Sequence, residues 1–313
     1  MNIAHIVCDH GLGHHKRSIL NGMADLELGH NVDLIGSRDA VMRLMPVLPS
    51  YTGLSFIEAR TETHYGKFER SLESILKWLD RLPSLKKYDR VISDNLPEIL
   101  LVQEHAVISA QFFWHEIIPN VNKEYRALCD FLLKKCKPKV TGCPFFSMPH
   151  IKGLSGYIPK YLPQNPLIKS ERKKGAHRQN SLLFTCGSQP HGIETMAKVF
   201  TAINSLSELY CDRIYVDPQL YNDLLPLSRY PLEIADYSAS MFARVSLSFC
   251  RPGLGIVSDL LAAEAGIIPV SHNDNLEMNH NSSVISRYYA EMANIRLHKH
   301  GIPSYMAYDI CSV

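Results

Sequence analysis

The sequence predicts an α/β protein built from two doubly wound domains with parallel sheets. In each half of the chain, short apolar runs typical of strands alternate with amphipathic runs typical of helices, which favours a parallel sheet. Residues 143–180 interrupt this rhythm with prolines and a basic, polar run, a composition typical of a linker. We therefore expect an N-terminal domain at 1–150, a linker region at 151–180 and a C-terminal domain at 181–313.

The N-terminal half opens with a βαβ unit. The apolar run NIAHIVC, residues 2–8, predicts a strand, and apolar residues at helical spacing within 19–26 predict the helix that follows. Gly29 is a typical C-cap for that helix, and NVDLIG, residues 31–36, predicts the second strand. A helix between two strands in this order is the crossover unit of a parallel sheet.

The same half continues with a helix predicted at 67–82, which Pro83 ends. Two further strands are predicted, YDRVISD at residues 88–94 and HAVISAQFF at 105–113. The run LPEILLVQEH, residues 96–105, predicts a helix between them. These elements extend the parallel sheet of the first domain.

The C-terminal half repeats the pattern. A glycine turn opens an Ala- and Leu-rich helix in RPGLGIVSDLLAAEA, and the last residues, HKHGIPSYMAYDICSV, read as an irregular tail. Two domains that each carry a glycine turn at a strand end would face a ligand across a cleft. The predicted strands of this half are SLLFTCGS, DRIYVD, RVSLSFC and GIIPVS.

Composition excludes several classes of protein. The net charge of +2 gives no electrostatic reason to expect a nucleic-acid partner. The eight cysteines form no C-x-x-C pair and no secretory signal is visible, so we expect reduced thiols in a cytoplasmic protein. No apolar run reaches the roughly 18 residues of a spanning helix.

The basic stretch LLKKCKPKV, residues 132–140, suits either peripheral contact with an anionic membrane surface or a solvated helix end. The sequence predicts no oligomeric state.

The first glycine turn carries a histidine at the start of a helix. Gly11 and Gly13 flank Leu12, but Lys16 occupies the third position of a G-x-G-x-x-G fingerprint, so a full dinucleotide signature is absent. The helix dipole disfavours a protonated imidazole at this place, so His14 would be neutral and able to accept a proton. The alternative is that His14 caps or packs the turn.

A metal site in the same stretch is not expected. His10 and His14 have the four-residue spacing of ligands on a helix, with Asp9 and His15 beside them. The glycines between the two histidines break any helix, however, and no second cluster of ligands has a fixed spacing. We therefore predict neither a metal nor a resident cofactor.

Asp94 ends the strand YDRVISD in the same predicted sheet as the first glycine turn. A carboxylate there would lie near His14, where it would fix the tautomer of the imidazole and raise its basicity. The alternative is an N-cap for the following helix, since Pro97 is a favourable residue in a first helical turn.

The second glycine turn is the stronger signal for phosphate binding. In CRPGLGIVSDLLAAEAG, Gly253 and Gly255 allow close approach of the backbone, and the helix N-terminus supplies free N–H groups for a diphosphate. Asp259 lies one turn into the helix and would accept ribose hydroxyls. The remaining candidates are Gly187 and Ser188 as further N–H donors, Arg251 for phosphate or a surface ion pair, and Glu277 for sugar hydroxyls or a solvated loop.

These motifs together resemble GT-B glycosyltransferases, above all the branch that holds the peptidoglycan N-acetylglucosaminyltransferase and the macrolide glycosyltransferases. The motifs are GLGHHKR with GHNVDLIG, YDRVISDNLPE, LLFTCGSQ, and SFCRPGLGIVSDLLAAEAGIIPVSHNDNLEMNHNSSVI, of which the last is the most specific. The resemblance covers most of the chain and implies two Rossmann-like domains, the C-terminal one holding a nucleotide-diphosphate sugar, with a UDP-sugar as the expected donor.

The resemblance also implies roles for single residues. His14 matches the family's N-terminal histidine, often the base for the acceptor hydroxyl, and Asp94 resembles its partner. On the donor side Gly253, Gly255 and Ser258 match the phosphate-facing turn, Asp259 the acidic residue near the ribose, and Glu277 the acidic residue of the sugar loop. Gly11 and Gly13 would add phosphate contact. The chain departs from the family at Met278, where glutamine is common, in its short length, and in the lack of an obvious C-terminal crossing helix.

A second likeness concerns the first motif alone. GLGHHKR is similar to the G-x-G-H-x-K-R of a nucleotide-sugar hydrolase in pseudaminic acid synthesis, and GLGHHKRS with VISDNLP is similar to the glycosyltransferase-like region of plant arabinose kinases. By this likeness Lys16 and Arg17 would help to bind diphosphate, with exposed helix charges as the alternative.

We therefore expect a metal-independent glycosyltransferase of the hexosyl or N-acetylhexosaminyl type. The stretch QFFWHE follows an N-domain strand, and Trp114, His115 and Glu116 are expected on the acceptor side, whereas Phe112 and Phe113 suit a core. The alternatives are a nucleotide-sugar hydrolase with water as acceptor and a non-catalytic nucleotide-sugar-binding module.

Overall fold

The computed structural model describes residues 1–50, 52–61, 71–173, 180–187, 191–270 and 276–305. The chain divides into two compact units, Met1–Pro163 and Gln164–Val313. This division falls inside the stretch that the sequence predicts as a linker. The described part of that stretch is not irregular throughout, because it contains a strand of the first unit and a helix of the second, in which Ile168 is fully buried.

The first unit is built on a parallel sheet that has seven strands within the described residues, in the order β3-β2-β1-β4-β5-β6-β7. Its strands are β1 (Asn2–Ile6), β2 (Asn31–Gly36), β3 (Leu54–Glu58), β4 (Arg90–Asp94), β5 (Val107–Ser109), β6 (Val140–Gly142) and β7 (Tyr157–Pro159). Its helices are α1 (Leu12–Glu27), α2 (Arg38–Leu44), α3 (Leu72–Arg81), α4 (Trp114–Ile117), α5 (Lys123–Cys136) and α6 (Pro149–Lys152). The pairing of β1 with β4 brings the carboxyl ends of these two strands together, with Ile6 opposite Ser93.

Helix α1 packs closely on this sheet because one of its residues has no side chain. A Cβ atom at Gly22 would lie 3.1 Å from Cδ2 of Leu54 and 3.3 Å from Cγ1 of Val32. The core beneath the neighbouring helices is mainly aliphatic, and the aromatic residues Trp78 and Tyr125 are among its largest fully buried side chains. This packing fixes the start of α1 at the carboxyl edge of the sheet.

Several predicted elements of this unit differ from the structure. The helix predicted over residues 96–105 is a 3₁₀ helix at Pro97–Leu101, because the short connection buries Ile99 and Leu100 and turns directly into β5. The strand predicted at 105–113 pairs only over β5. The helix predicted at 67–82 is described as α3, which begins after a Ser71 cap, and residues 67–70 lie outside the described residues.

The second unit has a five-stranded parallel sheet in its described part, in the order β10-β9-β8-β11-β12. Its strands are β8 (Ser181–Thr185), β9 (Arg213–Val216), β10 (Leu232–Ile234), β11 (Val245–Cys250) and β12 (Gly266–Pro269). Its helices are α7 (Pro166–Lys173), α8 (His191–Asn204), α9 (Pro218–Leu224), α10 (Ala239–Arg244), α11 (Leu254–Ala262), α12 (Leu276–Tyr288) and α13 (Ala290–Lys299). Strand β10 was not predicted, because three residues are too few to show a periodicity.

The C-terminal residues of this unit are more ordered than the predicted irregular tail. Helix α13 runs to Lys299, and His300 is completely buried, with Nδ1 2.6 Å from the carbonyl oxygen of Tyr210 and Nε2 2.6 Å from Oγ of Ser246. Gly301 has φ +68°, and a Cβ atom there would lie 2.1 Å from the carbonyl oxygen of Glu208, so only glycine fits. Residues 306–313 lie outside the described residues.

Two further predictions concern the cysteines and membrane-spanning helices. All of the cysteines within the described residues are free thiols. In the same part of the chain, no helix has the length and apolar character needed to cross a membrane.

Candidate active site

The glycine turn after β1 places His14 in the first turn of α1. Gly11 is the N-cap of the helix, with φ +95° and ψ 155°, a conformation that is essentially restricted to glycine. A Cβ atom at Gly11 would meet nothing within 4 Å, so backbone conformation, and not space, requires glycine there. Gly13 lies inside the same first turn. The His14 side chain is 12% exposed, which leaves its ring in contact with both protein and solvent.

Asp94, the last residue of β4, lies against the imidazole of His14. The Oδ2 atom of Asp94 is 2.6 Å from Nδ1 of His14, and the carboxylate is 3% exposed. Asp94 does not cap the following helix, since the 3₁₀ helix begins after Leu96 and has no side-chain cap. The two predicted catalytic residues therefore form a hydrogen-bonded pair.

Arg17 is the third member of this group. Its Nη2 donates a hydrogen bond to Oδ1 of Asp94 and lies 3.2 Å from Nδ1 of His14. The Arg17 side chain is only 12% exposed, so it is not the exposed helix charge that the sequence suggested as an alternative. Lys16 is also buried. The GLGHHKR likeness suggested Arg17 only as a diphosphate ligand and not as a partner of Asp94, although its spacing of three from His14 places both on one face of α1.

The electrostatics of the group define the tautomer of His14. Burial raises the pKa of Asp94, but the charges of Arg17 and then of His14, with their hydrogen bonds, outweigh burial and hold that pKa below its usual value. Asp94 is therefore a carboxylate and can only accept a hydrogen bond. Nδ1 of His14 then carries the proton, and Nε2 has the free lone pair. This is the arrangement of a general base oriented by a carboxylate.

Trp114 is a core residue, 5% exposed, whose indole packs beside His14. The ring centroids of Trp114 and His14 are 5.8 Å apart, and His10 lies edge-on to the same indole at 4.6 Å. In the orientation of the Asn95 amide that satisfies both of its polar groups, the amide oxygen accepts a hydrogen bond from Nε1 of Trp114 at 3.2 Å. The indole is thus held in place on the side of the histidine.

The other two residues expected on the acceptor side lie elsewhere. His115 is completely buried and stacks on Phe113 at 5.5 Å, and burial lowers the pKa of its imidazole. Glu116 forms an ion pair with His150. Consecutive residues of the short helix α4 point in different directions, so only Trp114 of the three lies beside His14.

The residues considered for a metal are engaged in local structure. His15 is buried, and its Nε2 lies 3.2 Å from the backbone N–H of Ser37 and 3.3 Å from Oδ1 of Asp9. Oδ2 of Asp9 accepts a hydrogen bond from Oγ1 of Thr61 at 2.9 Å. Within the described residues, no group of three or more His, Cys, Asp or Glu side chains is arranged to hold a metal ion.

In the second unit, the turn after β8 is fixed by Asp217. Its Oδ2 accepts hydrogen bonds from the backbone N–H groups of Cys186, at 2.7 Å, and Gly187, at 3.2 Å. Gly187 has φ +68°, which favours glycine. Its N–H group is therefore committed to Asp217 and is not free for a ligand, in contrast to the prediction. Ser188 lies outside the described residues.

A small pocket, with room for about one water molecule, lies at the carboxyl ends of β8, β11 and β12. The backbone N–H of Arg251 donates to the carbonyl oxygen of Thr185 at 2.8 Å, which joins two of these strand ends, and the first turn of α8 closes the pocket. A guanidinium beside a helix N-terminus suits an anionic group such as phosphate. The lining residues are Cys186, Gly192, Thr195, Met196, Arg251 and Val270.

The second glycine turn is the N-terminus of α11. Gly253 is the N-cap, a Cβ atom there would meet nothing within 4 Å, and Gly255 lies in the first turn. The side-chain amide of Asn281 on α12 donates a hydrogen bond to the carbonyl oxygen of Pro252 at 2.9 Å, which supports the turn from below. Asn281 is 1% exposed. It was not predicted as a site residue, although it lies in the most specific motif.

The remaining donor-side candidates lie on α11 and α12. Ser258 and Asp259 are buried at 7% and 3% exposure, and Glu277 is half-buried in the first turn of α12. Met278, at the position where the resembled family often has glutamine, is 4% exposed and belongs to the packed interior. Of these residues, Glu277 has the most accessible side chain.

Comparisons with known proteins give structural likenesses only. No protein-family model matches the sequence, and no curated protein matches it. Among solved structures, LpCGTa in complex with UDP matches with a TM-score of 0.62 and 12% identity over 99% of this chain and 93% of that one.

Two further structures match over the same share of this chain, 99%. UGT89C1 of Arabidopsis thaliana complexed with UDP-L-rhamnose has a TM-score of 0.56 and 12% identity, with 92% of its chain covered. CalG4, the calicheamicin glycosyltransferase, has a TM-score of 0.57 and 13% identity, also with 92% covered. This chain therefore has the GT-B fold of glycosyltransferases, with one parallel-sheet Rossmann-like domain in each half.

Proposed function

We propose that the protein transfers a sugar from a UDP-sugar to the hydroxyl group of a small-molecule acceptor, with His14 as the general base. The observation that carries this proposal is the pair formed by His14 and Asp94, whose Nδ1 and Oδ2 atoms are 2.6 Å apart. The pair leaves Nε2 of His14 as a proton acceptor at the carboxyl edge of the first sheet. The similar structures that hold UDP or UDP-L-rhamnose support the choice of donor.

In the proposed reaction, Nε2 of His14 takes the proton of the acceptor hydroxyl as the hydroxyl oxygen attacks the anomeric carbon. The bond between that carbon and the diphosphate oxygen breaks, and UDP leaves with the electron pair. Asp94 stabilises the imidazolium that forms, through its hydrogen bond to Nδ1. General-base catalysis of this kind contributes about 10²–10⁴-fold to the rate.

The second unit supplies the donor site in this proposal. Arg251 and the first turn of α8 line the pocket at the strand ends and would bind the diphosphate, with the turn at Gly253–Gly255 as a second source of backbone N–H groups. The charge that develops on the diphosphate is balanced by the guanidinium and these N–H groups, so the proposal requires no metal.

Trp114 defines the acceptor side of the first unit. Its flat indole lies next to the general base, and such a surface suits the face of a sugar ring or an apolar aglycone. The proposal therefore predicts a preference for acceptors whose reacting hydroxyl lies beside a flat apolar surface.

The test is a panel of UDP-, GDP-, CMP- and dTDP-sugars, each incubated with and without candidate acceptors, with released nucleotide and transferred sugar followed separately. The chain is compared with His14→Ala and with His105→Ala, a matched control at an exposed histidine of the same unit. We expect transfer from UDP-sugars that His14→Ala abolishes and His105→Ala retains, while both variants bind UDP as the unaltered chain does.

Each other outcome rejects part of the proposal. Rapid, His14-dependent release of UDP into water without an acceptor would identify a hydrolase that uses the same residues. Saturable UDP-sugar binding without turnover on any acceptor would identify a binding module. A lack of binding to every nucleotide-sugar would reject the glycosyltransferase function itself.

A further inference from the structure

We propose that Arg17 is a positioning residue that sets the protonation state of the His14–Asp94 pair. The inference rests on the proposed function only in treating His14 as the base, and it assigns to Arg17 a role that differs from diphosphate binding. Arg17 acts through its hydrogen bond to Asp94 and through its charge beside Nδ1 of His14.

The first argument is that the two carboxylate oxygens of Asp94 contact different partners. Oδ2 of Asp94 lies 2.6 Å from Nδ1 of His14, and Oδ1 accepts a hydrogen bond from Nη2 of Arg17. The Asp94 side chain is 3% exposed, so solvent does not compete for these positions. Because both oxygens are held, the plane of the Asp94 carboxylate is fixed. The direction of its hydrogen bond to Nδ1 of His14 is therefore fixed as well.

The second argument is the balance of charge around the imidazole. A buried carboxylate alone would stabilise the protonated form of His14 and make its neutral form scarce. Nη2 of Arg17 lies 3.2 Å from Nδ1, so a positive charge opposes that stabilisation at close range. The charge of Arg17 thus offsets that of Asp94, which favours the neutral imidazole that a base needs before it takes a proton.

Within the described residues, two charged groups lie directly against the ring of His14, namely Asp94 from β4 and Arg17 from α1 itself. Helix α4 contributes the neutral indole of Trp114, and His10 of the glycine turn contacts that indole. The other charged residues of this turn are Lys16, which is buried, and Asp9, which pairs with His15.

The position of the guanidinium argues against the diphosphate role that the GLGHHKR likeness suggested. The Arg17 side chain is 12% exposed, and its Nη2 is already paired with the buried carboxylate of Asp94. An anion arriving from solvent would compete with Asp94 for a group that is already paired. A buried arginine is costly unless it is paired, and Asp94 is the pairing that the structure shows.

The test follows the His14 ring directly by ¹⁵N NMR of the whole chain, with the His14→Ala variant used to assign its signals. Arg17→Gln removes the charge, Arg17→Lys keeps the charge but loses the planar fork, and Arg43→Gln is a matched control at an exposed arginine of the same unit. The readouts are the tautomer at neutral pH and the pH midpoint of His14 protonation, followed by the acidic limb of kcat/KM against pH.

In the unaltered chain we expect a proton on Nδ1. In Arg17→Gln we expect the protonation midpoint to rise, because the charge of the Asp94 carboxylate is no longer offset by a guanidinium. The acidic limb of kcat/KM should rise with it, while UDP affinity stays the same. In Arg17→Lys and Arg43→Gln the midpoint should stay close to that of the unaltered chain.

An unchanged midpoint in a folded Arg17→Gln variant would overturn the inference. If Arg17→Gln does not fold, the measurement is made on Arg17→Lys. A raised pH midpoint of His14 protonation in Arg17→Lys would overturn the charge argument. The NMR readout does not depend on turnover. A chain that transfers sugar but shows no shift therefore rejects the role of Arg17 alone, and a chain that shows the shift but no turnover rejects the proposed function alone.

Discussion

Nδ1 of His14 lies 2.6 Å from Oδ2 of Asp94, although the two residues are 80 positions apart in the sequence. The contact exists because β1 and β4 are parallel neighbours, so the turn after β1 and the last residue of β4 reach the same edge of the sheet. The topology of the sheet thus brings His14 and Asp94 together.

Asp94→Asn tests this relationship. Asparagine keeps the volume of the side chain but removes its charge, and its amide N–H₂ would favour the tautomer of His14 with the proton on Nε2. We expect kcat to fall by about 10²–10⁴-fold, while the Kd for UDP changes little. Steady-state kinetics and calorimetric titration with UDP would measure the two effects.

The control for this variant is Asp80→Asn, at an exposed aspartate of α3 in the same unit. It should leave kcat and unfolding free energy unchanged. A kcat for Asp94→Asn within a few-fold of that of the unaltered chain would contradict a role for the carboxylate in orienting the base.

Trp114→Phe tests the indole beside His14. Phenylalanine retains a ring beside His14 but loses contact area and the hydrogen bond from the indole N–H to Asn95. Because aromatic contacts are worth about 0.5–1.5 kcal/mol, we expect the KM for the acceptor to rise by about 2–10-fold, with a smaller effect on kcat. Acceptor saturation curves at fixed donor concentration would measure the change.

Trp78→Phe is the matched control, because Trp78 is a buried tryptophan in the core of the same unit and is 2% exposed. Both substitutions should lower the free energy of unfolding, but only Trp114→Phe should raise the acceptor KM. Equal KM values for the two variants would show that Trp114 is a core residue without contact to the acceptor.

The sequence was sufficient to predict the parallel sheets and the meeting of His14 with Asp94. Both rest on patterns that are local in the chain, namely apolar strands, glycine turns and the rule that parallel strands end at one edge. The alternation of strands and helices defines the topology once the hand of the crossovers is given.

Tertiary packing decides what the sequence could not show. The run after β4 has a helical pattern but adopts a short 3₁₀ helix, because the connection to β5 is short and buries Ile99 and Leu100. His115 follows Trp114 directly, and both side chains are buried, yet only Trp114 packs beside His14. Arg17 has the ordinary signature of an exposed helix arginine, and only the position of Asp94 shows why it is buried.

His300 predicts a pH dependence of stability that is independent of the active site. Burial lowers the pKa of its imidazole to about 4, from 6.5 in an unfolded chain. Between these values the unfolded state binds a proton that the folded state does not, so stability falls as the pH falls from about 6.5 to 4. From this residue we expect a loss of about 2 kcal/mol in unfolding free energy between pH 7 and pH 5.

Urea unfolding at a series of pH values would measure this slope. His300→Gln should be less stable at pH 7, because it disturbs the contacts to Tyr210 and Ser246, but its stability should depend less on pH. His105→Gln, at an exposed histidine, should retain the slope of the unaltered chain. If His300→Gln retained the full slope, other groups would be responsible for the acid sensitivity.

Arg251→Gln tests the proposed diphosphate site of the second unit. The guanidinium lines the pocket beside the first turn of α8, and hydrogen bonds to a charged group are worth about 1.5–3 kcal/mol. We therefore expect the Kd for UDP to rise by about 10–100-fold, and the salt dependence of binding to weaken because one charge has been removed. Uridine, which lacks the diphosphate, should bind the variant and the unaltered chain equally.

The control is Arg287→Gln, at an exposed arginine of α12, which should leave the Kd for UDP and the Kd for uridine unchanged. A uridine affinity that fell together with that of UDP would mean that the substitution had disturbed the fold of the pocket, and a UDP affinity that did not change would remove Arg251 from the donor site.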